Sequence, residues 1–330
     1  PAWIEGPDIQ YDTGEFAMPV VKAYEEVENP RIQRDLPNGH FAWRTDFIKR
    51  PEDKSVDTPM AFLAEGSANR VLRVHFHKVD QFQVMYNGSG SVGKHAVGPG
   101  AVHFSRAFTP YGPIAYSDKG LGFITLRAHR DPGAQYLPES RDVLDKVANR
   151  TPWQITAFPD FDIVPGEHGV AMKALEGLQG HDGLAGFSVK MNAGAKAYAP
   201  DPSKGDGQYI LVMKGAIIHE GKVRKDLAII WVGKDDGPFE LVAGPEGMEG
   251  LILTFPIPGG GMPDEAKPVA TDADGELKTW QCILCAFVYD EAAGMPEEGI
   301  APGTRWADVP ETFGCPDCSA KKADFEMIEF

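Results

Sequence analysis

The four cysteines of this chain are confined to its C-terminal end, in two pairs with the same spacing. Cys282 and Cys285 form the first pair, and Cys315 and Cys318 form the second. Two thiolates three positions apart reach one metal ion from a single tight turn, and two such pairs complete a tetrahedral site with four sulfur ligands. Disulfides suit small secreted scaffolds, whereas this chain has 330 residues and begins PAWIEGPDIQ, which is no secretory signal. The spacing therefore predicts a metal-binding knuckle that holds zinc or iron.

The segment around these cysteines carries further motifs. Residues 280–325 read WQCILCAFVYDEAAGMPEEGIAPGTRWADVPETFGCPDCSAKKADF, with C-x2-C, V-Y-D, G-I-x-P-G-T-x-W, C-P-x-C and K-x-D-F. This segment resembles rubredoxin along almost its whole length. The resemblance implies one iron ion that changes between ferrous and ferric by one electron, with the ligands Cys282, Cys285, Cys315 and Cys318. It also implies a small aromatic core, formed by Trp280, Tyr289, Trp306, Phe313 and Phe325.

The overall composition limits the classes of partner. The chain has 42% hydrophobic and 24% charged residues, as soluble globular proteins do. Its net charge of −16 argues against nucleic acid and against anionic membranes as partners. It has no run of about 18 apolar residues, so we predict no membrane span. Cysteines kept reduced in a metal site predict a cytoplasmic protein.

The length favours two or three domains. Residues 256–276 read PIPGGGMPDEAKPVATDADGE, where prolines and glycines followed by small and charged residues are typical of a linker. This linker precedes the rubredoxin-like domain, residues 277–330. On its N-terminal side we predict an N-terminal arm and a first barrel in residues 1–130, and a connector and a second barrel in residues 131–255.

Short alternating apolar runs, separated by glycine and proline, dominate residues 1–255. Their length and spacing predict β-strands of a sandwich or barrel. The runs are Arg70–His77, Phe82–Tyr86, Ala101–Ser105, Gly122–Arg127, Tyr209–Met213, Leu227–Val232 and Leu251–Phe255. Two short helices are predicted, at Asp142–Asn149 and at Val170–Leu178.

An internal repeat organises these strands. Gln81–Gly88 (QFQVMYNG) aligns with Gln208–Gly215 (QYILVMKG) at an offset of 127 residues. The same offset, without a gap, aligns the segments that begin at Ala101 and Ala228, and those that begin at Gly120 and Gly247. Agreement of three separate blocks under one offset predicts two copies of one β-domain.

The first copy resembles a cupin. The family's first motif is H-x-H, then a carboxylate four residues on, then glycine seven residues further, and His75, His77, Gln81 and Gly88 have these spacings. Alternation along a strand places His75 and His77 on the same face, as two ligands of one interior metal require. The resemblance implies a mainly β protein, with two cupin-type jelly-roll β-barrels (a bicupin) followed by the small rubredoxin-like iron domain. It also implies a mononuclear metal in the first barrel, for which we expect iron, with manganese, copper, nickel and zinc as alternatives.

The other ligands of this metal depart from the family pattern. Gln81 stands where the family usually has glutamate, and Tyr111 stands where the second motif usually ends in histidine. Tyr111 is expected to bind the metal as a phenolate or to hydrogen-bond substrate or oxygen. His103 and His95, on adjoining strands, are alternative imidazole ligands. The candidate metal ligands of the barrel are thus His75, His77, Gln81 and His103.

The second copy lacks this histidine pair. Under the same offset His75 corresponds to Pro202, His77 to Lys204 and Tyr111 to Pro238. We therefore predict a structural role for the second barrel. In the first barrel Arg73 alternates with His75, so it is a candidate to face the cavity and hold an anionic substrate, with a surface position as the alternative. The candidate catalytic residues are Tyr111, Gln81 and Arg73.

The two halves together suggest a function. A covalently attached one-electron carrier is useful where a mononuclear metal has to be reduced, so we expect a non-haem metal oxygenase that acts on a small organic substrate, aromatic or acidic. Its expected partners are O2 and a rubredoxin reductase or similar electron donor, and the expected assembly is a homodimer. A lyase or isomerase with a Lewis-acid metal is one alternative, and a non-enzymatic electron-transfer or redox-sensing adaptor is another.

Overall fold

The structure is a computed structural model that describes residues 19–50, 52–147, 152–258, 277–282, 287–316, 321–322 and 325–328. Strands dominate these residues, and the one α-helix among them is α1, Arg141–Asp145. The strands before the linker are β1 Val20–Lys22, β2 Ile32–Asp35, β3 Phe41–Ile48, β4 Met60–Gly66, β5 Val71–Leu72, β6 His75–Phe76, β7 Gln81–Val92, β8 His95–Val97, β9 Val102–Ser105, β10 Ile114–Arg127, β11 Gln135–Tyr136, β12 Gln154–Ala157, β13 Val170–Gln179, β14 Ala185–Met191, β15 Lys196–Tyr198, β16 Gln208–His219, β17 Lys222–Lys225, β18 Ile229–Val232 and β19 Glu240–Thr254.

The strands of residues 19–258 form two large antiparallel sheets. The first has the order β12-β9-β7-β10-β4-β3-β2, with β5 beside β10 and β8 beside β7. The second has the order β1-β18-β16-β19-β14-β13, with β15 beside β19 and β17 beside β16. A separate ribbon of β6 and β11 carries His75. This mainly β architecture confirms the predicted fold class of two cupin-type barrels.

The two sheets repeat one another strand for strand. β16 begins and ends 127 residues after β7, and β18 does so after β9. The same glycine contacts recur in both copies. Gly88 and Gly215 have positive φ angles of 70° and 83°, and a Cβ on either would collide with a carbonyl oxygen, of Gly120 or of Gly247. Only glycine fits this close approach of two strands, which explains why the blocks align without a gap.

The edges of the sheets do not follow the predicted boundary at residue 130. Strand β1, from the N-terminal arm, pairs with β18 of the second sheet. Strand β12, from the connector, pairs with β9 of the first sheet. Each barrel therefore borrows an edge strand from the segment assigned to the other, which covers hydrogen-bonding groups that an open edge would expose.

The predicted helix at Val170–Leu178 is wrong, because this segment is strand β13. Its buried residues Val170, Leu175 and Leu178 have helix-like spacing, but Val170–Ala174 pair with β14. Pairing with a neighbouring strand has overridden the local pattern. The other predicted helix, Asp142–Asn149, is present only in its first part, because α1 ends at Asp145 and Lys146 and Val147 are not helical. Ala148 and Asn149 lie outside the described residues.

Alternation along the strands separates two hydrophobic cores. Phe82, Val84 and Phe104 of the first sheet pack against the second sheet in one core, which also contains Leu211 and Leu253. The opposite face of the second sheet lines the interior of its own barrel with apolar side chains, among them Ile210, Val212, Ile230 and Ile252. The interior of the first barrel holds most of the buried polar side chains of the two interiors.

The C-terminal domain is a three-stranded sheet with the order β21-β20-β22. Its strands are β20 Thr279–Cys282, β21 Val288–Asp290 and β22 Phe325–Ile328. The predicted aromatic core is confirmed, since Trp280 stacks on Trp306 with ring centroids 5.3 Å apart, and Tyr289, Phe313 and Phe325 contact Trp306. No helix among the described residues is long and apolar enough to cross a membrane.

Candidate functional site

The interior of the first barrel is polar where that of the second is apolar. Five inward-facing residues of strands β7, β9 and β10 are at most 4% exposed, namely Gln83, His103, Ser105, Thr125 and Arg127. The residues 127 positions later are Ile210, Ile230, Val232, Ile252 and Thr254. Because the second barrel folds with apolar residues at four of these five positions, the fold does not require the polar ones. The concentration of buried polar side chains in the first barrel marks the candidate site.

His75 and Tyr111 are joined by backbone and side-chain hydrogen bonds in this interior. Their backbones form an antiparallel bridge, with His75 N–H donating to Tyr111 O at 3.2 Å and Tyr111 N–H donating to His75 O at 3.0 Å. His75 Nδ1 donates to the carbonyl oxygen of Arg73 at 2.7 Å, so its Nε2 carries the lone pair. Tyr111 Oη lies 3.0 Å from this Nε2 and donates to it.

His77 is held by a buried carboxylate. Its Nδ1 donates to Asp131 Oδ2 at 2.8 Å, and Asp131 is fully buried. Asp131 also accepts from the backbone N–H groups of Lys78 and Gly133, and forms an ion pair with Arg127 Nη1 at 3.2 Å. These contacts fix the Asp131 carboxylate in place, and its Oδ2 in turn orients the ring of His77.

Burial keeps the histidines of the cluster neutral. Desolvation lowers the pKa of His75 to about 3, and the nearby His77 lowers it further in the same direction. Desolvation also lowers the pKa of His77, against the opposing effect of the hydrogen bond that His77 donates to Asp131. Burial likewise raises the pKa of the Tyr111 hydroxyl, so it is protonated. Neutral imidazoles with a lone pair on Nε2 are the form that binds metals.

Arg127 decides the orientation of Gln81. Its Nε and Nη2 both donate to Gln81 Oε1, at 2.9 and 2.5 Å. The amide nitrogen of Gln81 therefore faces Tyr111 and donates to its hydroxyl at 2.7 Å. Since both N–H groups occupy the amide oxygen, the structure places Gln81 as a hydrogen-bond donor to Tyr111, which corrects its predicted position as a metal ligand.

His103 lies on the same side of the barrel but does not join His75 and His77 in one ligand set. Its ring is 5.0 Å from the ring of Tyr111, and its Nδ1 is 3.1 Å from Thr156 Oγ1 of β12. Its Nε2 is buried and has no hydrogen-bond partner. Among the residues that the structure describes, no three His, Cys, Asp or Glu side chains can hold one ion.

Two further candidates lie outside the barrel interior. The expectation that Arg73 faces the cavity is wrong, because its side chain is 56% exposed and pairs with Glu139 at 2.9 Å. Strand β5 ends at Leu72 and β6 begins at His75, so the alternation behind that expectation is broken. His95 is exposed on the hairpin strand β8.

The two imidazoles of His75 and His77 fit a metal. Metal-binding histidines usually donate their second ring N–H to a carboxylate or a backbone carbonyl, and here His77 does the first and His75 the second. Their rings lie 5.4 Å apart on alternate residues. Tyr111 Oη, beside His75 Nε2, is the nearest oxygen that can complete the set. These three residues would hold the ion, which leaves open positions in its coordination.

Cys282 and Cys315 are buried in the aromatic core of the C-terminal domain, at 0% and 2% exposure. They are the first cysteines of the two pairs, and Cys285 and Cys318 lie outside the described residues. The fold is that of two cupin-type β-barrels followed by a small C-terminal domain with buried cysteines.

Comparison with known proteins identifies that domain. The rubredoxin family model matches residues 279–325. Rubredoxin-1 of Pseudomonas aeruginosa is 64% identical over 53 residues, which are 16% of this chain and 96% of the relative. Rubredoxin of Acinetobacter baylyi is 58% identical over 53 residues, or 98% of its length. Through this domain the chain belongs to the rubredoxin family, and the domain carries the family's iron site bound by cysteine.

Solved structures resemble the barrels only distantly. Oxalate decarboxylase of Lactobacillus farciminis, in complex with formate, covers 74% of this chain and 88% of its own with a TM-score of 0.47 and 12% identity. The bacterial pirin of Escherichia coli, in complex with nickel(II), covers 73% of this chain and all of its own with a TM-score of 0.46 and 11% identity. The assignment of two barrels comes from the strand pairing and the repeat described above.

Proposed function

We propose that this chain is a non-haem metal-dependent oxygenase that acts on a small organic molecule in the first barrel, with electrons supplied through its rubredoxin domain. One observation carries the proposal. His75 donates Nδ1–H to the backbone oxygen of Arg73 and His77 donates Nδ1–H to the buried Asp131, so each neutral imidazole has its lone pair on Nε2, the form that a metal needs. Tyr111 Oη lies 3.0 Å from Nε2 of His75, and Arg127 Nη2 lies 3.3 Å from Nε2 of His77. A redox metal held there, expected to be iron, would supply one-electron chemistry with O2.

The side chains around the proposed metal position form a chain of hydrogen bonds that holds a proton. The chain of donors runs from Arg127 to Gln81, from Gln81 to Tyr111 and from Tyr111 to His75 Nε2. The Tyr111 oxygen accepts a hydrogen bond from Gln81, and the hydroxyl hydrogen can rotate about the C–O bond toward a bound substrate. This hydrogen is therefore the mobile proton at the site. All of these side chains are at most 7% exposed, which keeps bulk water away from the reacting atoms.

Contacts between the iron domain and the first barrel support electron delivery. Gln281, next to Cys282, places its amide nitrogen 3.6 Å from where a Cβ atom of Gly93 would lie, in the turn between β7 and β8. Gly93 N–H donates to Pro113 O at 3.0 Å, two residues after Tyr111 in the chain. These positions place the residue before Cys282 near a turn that is hydrogen-bonded to the segment after Tyr111, which supports the proposed electron delivery. The electrons would enter from an external reductase of the kind that serves rubredoxins.

Metal content of the full chain tests the proposal. Protein reconstituted with iron should contain two metal ions per chain, one in the rubredoxin domain and one in the barrel. The variant His75→Ala/His77→Ala should contain one and lose reductant-dependent O2 uptake. The control is His168→Ala, an exposed histidine of the connector, which should keep both ions. One ion per chain in the wild-type protein, after reconstitution with iron, manganese, copper, nickel or zinc, contradicts the proposal.

A further inference from the structure

Two buried polar atoms of the first barrel face one another without a partner. Gln83 on β7 lies directly opposite His103 on β9 in the strand register. Both residues are 2% exposed, and neither Gln83 Oε1 nor His103 Nε2 forms a hydrogen bond within the protein. A buried polar atom without a partner is destabilising, so natural proteins keep few of them without a reason.

The second barrel shows that the fold can do without this pair. The equivalent residues, 127 positions later, are Ile210 and Ile230, which face one another in the same register and are fully buried. Two apolar side chains thus fill this position with no unsatisfied polar atom. The first barrel has a less stable arrangement at the same place, which indicates that something else satisfies Gln83 and His103.

The chemistry of the pair restricts what that ligand is. Gln83 Oε1 requires a hydrogen-bond donor, and a carboxylate would bring only acceptor atoms.

We propose that Gln83 and His103 bind the hydroxyl group of a neutral ligand, such as a phenol or an alcohol, beside the ring of Tyr111. A hydroxyl donates its hydrogen to Gln83 Oε1 and accepts from His103 Nε2–H. The Thr156 hydroxyl, 3.1 Å from His103 Nδ1, either donates or accepts, so it allows the tautomer with hydrogen on Nε2. This proposal rests on the proposed function, which assigns the substrate to the first barrel. It narrows the expected substrate from an aromatic or acidic compound to a neutral hydroxyl compound.

The test compares binding of phenol, benzyl alcohol and benzoate to the full chain by titration calorimetry. Phenol or benzyl alcohol should bind, and benzoate should bind at least about 10-fold more weakly than the better of the two. Replacements of Gln83→Ile and His103→Ile introduce the residues of the second barrel, so the fold should tolerate them. Each should weaken the hydroxyl probe by about 10-fold or more, and the double variant should abolish its binding. Ile230→Val, at the equivalent place in the second barrel, is the matched control and should bind normally.

Thermal unfolding distinguishes a binding role from a structural one. The double variant Gln83→Ile/His103→Ile should unfold at a higher temperature than the wild-type protein, because it removes unsatisfied buried groups. Failure of both hydroxyl probes to bind, equal binding of benzoate, or unchanged binding in the double variant would each overturn the proposal. A lower unfolding temperature of the double variant than of the wild-type protein would also overturn it. None of these measurements requires a barrel metal or turnover, so their outcome is independent of the metal analysis.

Discussion

Arg127 and Asp131 set the geometry of the barrel site, although neither is a candidate ligand. Asp131 fixes the ring of His77, and Arg127 fixes the amide of Gln81, which in turn donates to Tyr111. The two are also paired with each other at 3.2 Å and are 4% and 0% exposed. One buried ion pair therefore orients three of the residues at the site.

Loss of Arg127 should be far more costly than loss of an exposed arginine. Arg127→Met leaves Asp131 as a buried charge without its cation, and we expect the free energy of unfolding to fall by about 3–5 kcal/mol. Arg73→Met removes the exposed ion pair with Glu139 and should cost no more than about 1 kcal/mol. Urea denaturation of the two variants measures both values. Similar losses for the two arginines would show that the Arg127–Asp131 pair does not organise the site.

The sequence predicts the site residues that belong to a motif with a fixed spacing along one strand or turn. His75, His77 and Tyr111 come together as their motif positions indicate. Arg127 and Asp131 are not predicted, because their contacts join strands more than forty residues apart. The one available signal was that Arg127 ends an alternating run with Phe123 and Thr125 on its inward face. Arg73 was misplaced because the chain turns between β5 and β6.

At the scale of strands and loops, His129 joins the two barrels just after β10. Its Nδ1 lies 2.6 Å from Asp57 Oδ2, and its Nε2 lies 2.5 Å from Asp206 Oδ2, in the loop before β16. Asp206 also lies 3.6 Å from Lys234 Nζ. Burial alone lowers the pKa of His129, but the hydrogen bonds to Asp206 and Asp57 outweigh it, and the net pKa is raised. A protonated His129 donates to both carboxylates at once.

Stability should therefore fall as His129 loses its proton. The folded-state pKa is raised, so the contribution is fully present below the unfolded value of about 6.5 and is lost as the pH rises through the folded value. Because His129 is 41% exposed, solvent screening limits the effect to about 1 kcal/mol. The measurement is the free energy of unfolding from pH 6 to pH 9 (about one pH unit per step) for wild type and His129→Gln. His168→Gln is the control. Identical pH profiles for wild type and His129→Gln would show that the ion pairs of His129 with Asp57 and Asp206 do not stabilise the fold.

Strand identity is largely predictable from the sequence, whereas strand pairing at the edges is not. Alternating apolar runs locate β7, β9, β10 and their repeats, because each run has to bury one face in the interface between the sheets. Pairing of β1 with β18 and of β12 with β9 depends on contacts between distant segments. Strand β12 also brings Thr156 to His103, so this part of the site depends on an edge that the sequence does not reveal.

At the scale of the whole molecule, the chain combines one polar barrel, one apolar barrel and one rubredoxin domain. The repeat and the cysteine pairs predict this division, since each is a local pattern in the sequence. The homodimer and the external reductase remain predictions. Gln281 Nε2 lies 3.6 Å from the place that a Cβ atom on Gly93 would occupy, so the C-terminal domain lies near the first barrel.

Electron counting tests the proposed electron delivery most directly. The full chain, loaded with iron, is titrated anaerobically with dithionite while the visible absorption of the rubredoxin iron is followed. We expect the wild-type protein to take up two electrons per chain, one at the rubredoxin iron and one at a centre in the first barrel. The variant His75→Ala/His77→Ala should take up one. Uptake of a single electron by the wild-type protein and the variant alike would contradict a redox centre in the barrel.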